Sequence, residues 1–290
     1  MITGTGAAVT VRLRGRLDDL QPKLRRIAEI VLQDPSAASG LSIGALASKA
    51  GCSEATVVRF ATELGYSGYR EFRRNLLHEA AIAHERTSRG ELQGDIDPDD
   101  DLATVVGKIA TSDARAVQDT AQALDIATLA EVAQRISSAP RITVFGIGAS
   151  GLAAQDLQQK LVRLGLNCSA PQDVHEALVV TSLLVPGCVA IGISNTGQTA
   201  EVLEPLRLGA EVGVTAVAIT NAPSSRLAQQ ADHLLVTAAQ ESLLRSGATA
   251  SRIAQLTVID CILVAVARCM PDLGRPALET TRAAVEHRPR

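Results

Sequence analysis

The chain has 290 residues, 46% of them hydrophobic and 20% charged, with a formal net charge of −3. This is the make-up of an ordinary soluble globular protein, and the length is enough for two domains. Five scattered cysteines with no C-x-x-C pair argue against a disulfide framework. The first residues lack the basic-then-apolar order of a secretory signal. The longest strongly apolar run, Val258 to Ala267, is too short to span a bilayer. The expected location is therefore the cytoplasm. Aromatics are 2% of the chain and Trp is absent, so the cores must be aliphatic.

Charge is unevenly spread. Residues 1–90 carry 13 Lys and Arg against 9 Asp and Glu, a net of +4, and the remainder nets −7. A mildly basic front end on an acidic body places any polyanion partner at the front.

In chain order, residues 17–34 show helical apolar spacing at Leu17, Leu20, Leu24, Ile27 and Ile30, and Pro35 ends the run. Residues 42–64, SIGALASKAGCSEATVVRFATEL, read as two short helices joined at Gly51, with Ser53 as N-cap of the second. Ala47 is small, four residues before that glycine, and Val57 and Phe60 stand six and nine after it. This is the spacing of a helix-turn-helix. Its reading face would carry Ser53, Glu54, Ala55, Thr56, Val58, Arg59 and Thr62. Arg59 suits a guanine edge or a phosphate, and Thr56 suits a backbone phosphate. A longer helix from about Gly68 to Ala83 adds Tyr69, Arg70, Arg73 and Arg74 as phosphate contacts. The competing reading is an ordinary helical hairpin with a solvated face.

The acidic, breaker-rich stretch from Glu85 to Asp101 reads as a linker, followed by a helical segment from Leu102 to Ser138. After Pro140, apolar runs at 142–146, 188–193, 214–219 and 233–237 alternate with helical patterns, and a strand is placed at 167–170. These predict a parallel sheet in a three-layer α/β/α sandwich. A last long helix runs from about Ser251 to Met270. The expected domains are 1–84 (helical), 85–101 (linker), 102–275 (α/β) and 276–290 (tail).

Two loops carry the chemistry. Gly146, Gly148 and Gly151 spell G-x-G-x-x-G between a strand and a helix, an anion site that suits a dinucleotide or a smaller phosphate. Asp173, the first acid after the next strand, is poorly placed to hold a ribose, and a lone G-x-G-x-x-G is weak evidence. The second loop, Ser194-Asn195-Thr196-Gly197-Gln198-Thr199, also follows a strand and opens a helix. Its hydroxyls and backbone N–H groups suit a phosphate monoester, and Ser150 supplies a further hydroxyl.

The segment ALASKAGCSEATVVRFATELGYSGYREF resembles the helix-turn-helix of the RpiR family of bacterial transcription regulators, through S-x-A-T-V-x-R-F (Ser53–Phe60) and L-G-Y-x-G-Y-x-E-F (Leu64–Phe72). Residues 125–270 are similar to a SIS, or sugar isomerase, domain, through FGIGASG, SNTGQT and SRIAQLTVIDCIL. The resemblance implies a regulator that binds an operator in double-stranded DNA and senses a phosphorylated sugar or sugar acid, without a cofactor or metal. It implies a homodimer or homotetramer away from the membrane. The family's S-x-S-G-x-T loop maps the phosphate-binding places onto Ser194, Thr196 and Thr199. Thr196 departs from the usual Ser, and Gln198 stands where Glu is frequent. Gly148, Ser150, Asn195, Gly197 and His175 complete the expected effector site. The alternative is a sugar-phosphate isomerase with an accessory helical domain. Its general base would come from Glu241, His175, Asp173, Glu176 or His233.

Overall fold

The computed structural model describes residues 9–17, 20–88, 95–241 and 249–286. The chain divides into two compact units, Met1–Ala123 and Leu124–Arg290.

The first unit is all helical among the described residues: α1 (Val9–Arg16), α2 (Pro22–Gln33), α3 (Pro35–Gly40), α4 (Ile43–Ala50), α5 (Glu54–Glu63), α6 (Tyr69–Ser88) and α7 (Leu102–Ala123). Apolar residues at i and i+3 or i+4 seal its core: Leu24, Ile27 and Val31 of α2, Leu46 of α4, and Val57 and Phe60 of α5. Four of the chain's five aromatic residues gather here. Phe72 stands edge-on to both Phe60 and Tyr66, with Tyr69 beside it.

Several boundaries differ from expectation. The helix expected from Leu17 starts at Pro22, because a proline is tolerated only in a helix's first turn. α1 was not foreseen. Its sequence, VTVRLRGR, has poor helix propensity, but Val9 and Leu13 lie four apart and both are buried in the helical core. α6 runs on to Ser88, into the stretch read as linker, and residues 89–94 of that stretch lie outside the described residues. The helix read as continuous from Leu102 to Ser138 is broken at Leu124, where Asp125 caps a new helix, and the division between units falls at this break.

The second unit holds α8 (Ile126–Ser138), β1 (Ile142–Gly146), α9 (Ala149–Arg163), β2 (Cys168–Ser169), α10 (Val174–Ser182), β3 (Val189–Ile193), α11 (Ala200–Glu211), β4 (Thr215–Thr220), α12 (Arg226–Gln230), β5 (His233–Val236), α13 (Ala250–Cys269) and α14 (Gly274–Glu286). The five strands are parallel in the order β2-β1-β3-β4-β5. One face is bulky: Ile142, Val144, Ile191, Val217 and Ile219 pack on α8, α9 and α13. The other is largely small: Ala190, Ala216 and Ala218 sit under α11 and α12 with Phe145. Every residue of β1 and β3 is buried, as a parallel sheet covered on both faces requires. The result is the three-layer α/β/α sandwich. The segment 276–290 expected as a tail instead forms most of α14, apart from residues 287–290, which lie outside the described ones.

α13 is long and apolar enough to cross a membrane by length and composition. It is a core helix here, packed on α8 and α9, with Ala254, Val258, Ile259, Ile262 and Val266 buried.

Candidate functional site

In the helical unit, α4 ends at Gly51, whose left-handed backbone (φ 63) lets the chain turn at once into α5. Ser53 caps α5, its Oγ accepting from the Thr56 backbone N–H at 3.3 Å and standing 2.9 Å from Thr56 Oγ1. The outer face of α5 presents Ser53, Glu54, Ala55, Val58, Arg59 and Thr62 to solvent, and Thr56 is half-buried. Arg59 donates to Gln21 Oε1 at 3.1 Å and lies 3.6 Å from Glu63. Gln21, at the N-cap of α2, was not foreseen at this face, because nothing local marks it. The Glu54 carboxylate leans toward Gly44 in the first turn of α4, where helix N–H groups attract it. Arg70 and Arg74 are exposed. Arg73 is half-buried and donates from Nε to the Ser39 carbonyl at 2.9 Å. Tyr69 is a core side chain, not the surface phosphate contact expected. Its hydroxyl donates to the Leu41 carbonyl at 3.0 Å, and burial pushes the phenol's pKa up.

In the α/β unit, β1 is the strand where the chain reverses direction across the sheet, with β2 on one side and β3 on the other. At such a switch point two loops part and leave a crevice at the strands' C-terminal ends. Gly146, the last residue of β1, pairs with Ile193, the last of β3. The two loops singled out in the sequence therefore start side by side.

Helix caps set these two loops apart. In this unit α8, α10 and α12 are capped by Asp125, Asp173 and Ser225. α13 has the Glu241 carboxylate, which accepts from the N–H groups of Thr249 (3.3 Å) and Ser251 (2.7 Å). α9 and α11 have no side-chain cap. Both follow the C-terminal ends of the adjacent strands β1 and β3, so two positive helix ends start near one another without a side-chain cap.

Hydroxyls line these loops. Ser194 Oγ accepts from the Gly197 N–H at 3.1 Å and stands 2.9 Å from Thr199 Oγ1. That mutual bond consumes one of two hydroxyl protons and leaves the other for a further acceptor. Thr196 is exposed, its Oγ1 accepting from the Gln198 N–H at 3.3 Å. Gly197 has φ 62, and a Cβ there would overlap Ser225 Oγ. Asn195 holds the loop to β4 through its carbonyl, which accepts from the Asn221 N–H and Thr220 Oγ1, each at 3.1 Å. On the first loop, Gly148 is the left-handed N-cap residue of α9 and Ser150 is buried in its first turn. His175 is exposed in the first turn of α10.

The candidate bases are mostly committed elsewhere. Asp173 accepts from the Glu176 N–H, and Glu176 accepts from the Gln172 N–H. Glu241 caps α13. His233 opens the edge strand β5, at the end of the sheet away from the strands' C-termini, and pairs with Glu131 at 3.4 Å. Gln255 was missed by the sequence reading. Its amide Nε2 lies 3.0 Å from Ser150 Oγ. The available signal was a polar pair, Ser251 and Gln255, four apart on an otherwise apolar helix face.

A helix-turn-helix head and a separate α/β unit with two glycine- and hydroxyl-bearing loops at its switch point are the parts of a DNA-binding transcriptional regulator. Residues 8–83 match the model of the helix-turn-helix domain of the rpiR family, and residues 135–265 match that of the SIS domain. A relative from Caldanaerobacter subterraneus subsp. tengcongensis, the HTH-type transcriptional regulator TTE0211, is 34% identical over 88% of this chain and 89% of its own. The Vibrio vulnificus NanR protein complexed with ManNAc-6P is 29% identical, with a TM-score of 0.60, over 96% of this chain and 97% of that one. The sugar isomerase domain of an RpiR transcription factor from Sphaerobacter thermophilus shares the fold at 23% identity and a TM-score of 0.54. It covers 60% of this chain and 96% of that one. The chain belongs to the RpiR family of helix-turn-helix transcriptional regulators carrying a SIS domain.

Proposed function

We propose that this regulator is controlled by a phosphorylated sugar or sugar acid held between the β1 and β3 loops. One observation carries the reading: the starts of α9 and α11, neither with a side-chain cap, stand at the ends of adjacent strands. Ser150, Ser194, Thr196 and Thr199 supply hydroxyl donors, Gly148, Asn195 and Gly197 shape the loops, and His175 contacts the sugar. The phosphate is bound by neutral donors and helix ends, which attract an anion without a cationic side chain. The complex of NanR with ManNAc-6P supports a sugar phosphate as the ligand class.

The exposed face of α5, with Arg59 at its centre, reads bases in the major groove. Arg70, Arg73 and Arg74 contact phosphates. Two half-sites require two heads, so a second copy of the chain completes the regulator. α13 supports a dimer contact through the α/β unit: on its outer side Val264 is exposed and Ile253, Leu256 and Leu263 are only partly covered. An apolar helix in a folded protein covers such a face. The effector binds one arrangement of the paired units better and so changes DNA affinity. By reciprocity, DNA changes effector affinity by the same factor.

The domain acts as a sensor without turnover. Asp173, Glu176 and Glu241 spend their carboxylates on backbone N–H groups, and His233 pairs with Glu131, which leaves His175 as the one candidate base beside the sugar, without a second group among the described residues to orient it.

A thermal-shift screen against sugar phosphates, with ManNAc-6P among them, tests the reading. A ligand at about 100 times its Kd stabilises the native state by about 2.7 kcal/mol, a rise of several degrees in Tm. Failure of every sugar phosphate to raise Tm, or conversion of one to its isomer by the purified protein, contradicts it.

A further inference from the structure

The buried face of α13 is apolar except at two positions. Ala254, Val258, Ile259, Ile262 and Val266 fill it, but Ser251 and Gln255 are also buried there, at 0% and 1% exposure. Both have a polar atom with no partner among the described residues: Ser251 Oγ and Gln255 Oε1. Buried polar groups left unsatisfied are costly, and where they persist they call for an explanation beyond stability. A leucine at 255 would fill similar space without that cost.

The Gln255 amide nitrogen gives the explanation. It lies 3.0 Å from Ser150 Oγ, reaching from α13 to the first turn of α9, 105 positions away in the chain. An amide N–H that donates to Ser150 Oγ occupies a lone pair of that oxygen and leaves the Ser150 proton undirected by α13. That proton has no acceptor among the described residues. Ser150 stands where α9 starts without a side-chain cap, beside the β3 loop.

We infer that Gln255 is a positioning residue: it holds Ser150 as a hydrogen-bond donor aimed at the phosphate of the effector. A carboxylate at 255 would do the opposite. It has only acceptors, so it would draw the Ser150 proton toward α13, remove a donor and place a negative charge beside the anion. The inference rests on the phosphate reading of the crevice and names a residue of α13 that makes the first loop competent.

Calorimetric titration of the full chain with inorganic phosphate tests it, using Gln255→Glu, Gln255→Leu, Ser150→Ala and the double variant Ser150→Ala with Gln255→Leu. Circular dichroism checks that each is folded. Loss of one hydrogen bond to a charged group weakens binding by about tenfold or more. Gln255→Leu is expected to show a loss of that order, and Gln255→Glu a larger one. The double variant should bind no worse than Ser150→Ala alone, because Gln255 acts through Ser150. A merely structural role would lower Tm without that coupling. Should Gln255→Glu not fold, the Gln255→Leu cycle decides alone.

Wild-type affinity in Gln255→Leu, or additive losses in the double variant, overturns the inference while leaving the crevice intact. No phosphate binding by the unaltered protein overturns the crevice reading, and with it the role of Gln255.

Discussion

Gly197 shows how much of the crevice depends on one position. Its backbone is left-handed, and a methyl group there would overlap the Ser225 hydroxyl that caps α12. Gly197→Ala is expected to cost about 1–3 kcal/mol in stability, from backbone strain and displacement of the cap. It should also abolish the thermal shift with sugar phosphates. Urea unfolding with and without ligand checks both, and an unchanged shift would separate the loop from the ligand. Asp125 makes a different, pH-dependent contribution. The Thr128 N–H holds its carboxyl below the usual carboxylate range. A depressed folded value means that the stabilisation is present above about pH 4 and is lost as pH falls through the folded pKa. Asn caps a helix about as well as Asp and does not titrate. Asp125→Asn should therefore match the unaltered protein at neutral pH and lose less stability on acidification, as urea titrations at the two pH values would reveal. At this scale the sequence was legible where the chemistry is local: the hydroxyls of 194, 196 and 199, and Ser53 as a cap. It missed Gln255 and Gln21 and misplaced Tyr69 at the surface, because their roles depend on partners 105, 38 and 28 positions away.

Among the elements, α4 and α5 follow directly from apolar spacing around Gly51 and a serine cap, and the strands follow from unbroken apolar runs. Tertiary packing decided the others. α1 folds because Val9 and Leu13 reach the helical core, against the preference of VTVRLRGR. The break between α7 and α8 depends on a cap hidden inside a long helical pattern, and α14 carries no strong start signal. The recognition helix bears the element-scale prediction. Arg59→Ala is expected to weaken specific DNA binding by about 1–3 kcal/mol and to relax base preference at one position, with the far-ultraviolet circular dichroism unchanged. Gln21→Ala should cause a smaller loss of the same kind, since it only steadies the guanidinium. An Arg59→Ala variant that keeps the unaltered protein's affinity for the operator, and its preference for the operator over a scrambled duplex, would remove Arg59 from the reading face.

For the molecule as a whole, the uneven charge has a consequence: an acidic body repels DNA outside the head. Specific binding should therefore fall steeply with salt through the phosphate contacts of the helical unit, whereas effector binding to the other unit should change little. Family membership and the α/β architecture could be read from the sequence because both motifs are contiguous. The side-by-side placement of the β1 and β3 loops could not, because it depends on strand order. β1 and β3 are neighbours only because β2 lies on the far side of β1.

The central claim is that this crevice and the DNA-reading head are linked through one effector. Its most direct test is fluorescence anisotropy of an operator selected from random duplexes, titrated at fixed salt with and without the sugar phosphate found by thermal shift. Coupling of 1–3 kcal/mol, roughly 5- to 150-fold in Kd, is the expected result for the unaltered protein. Ser194→Ala with Thr196→Val should bind the operator equally well and show no response. The same operator affinity at zero and saturating effector, or an undiminished response in the doubly altered protein, would contradict the account.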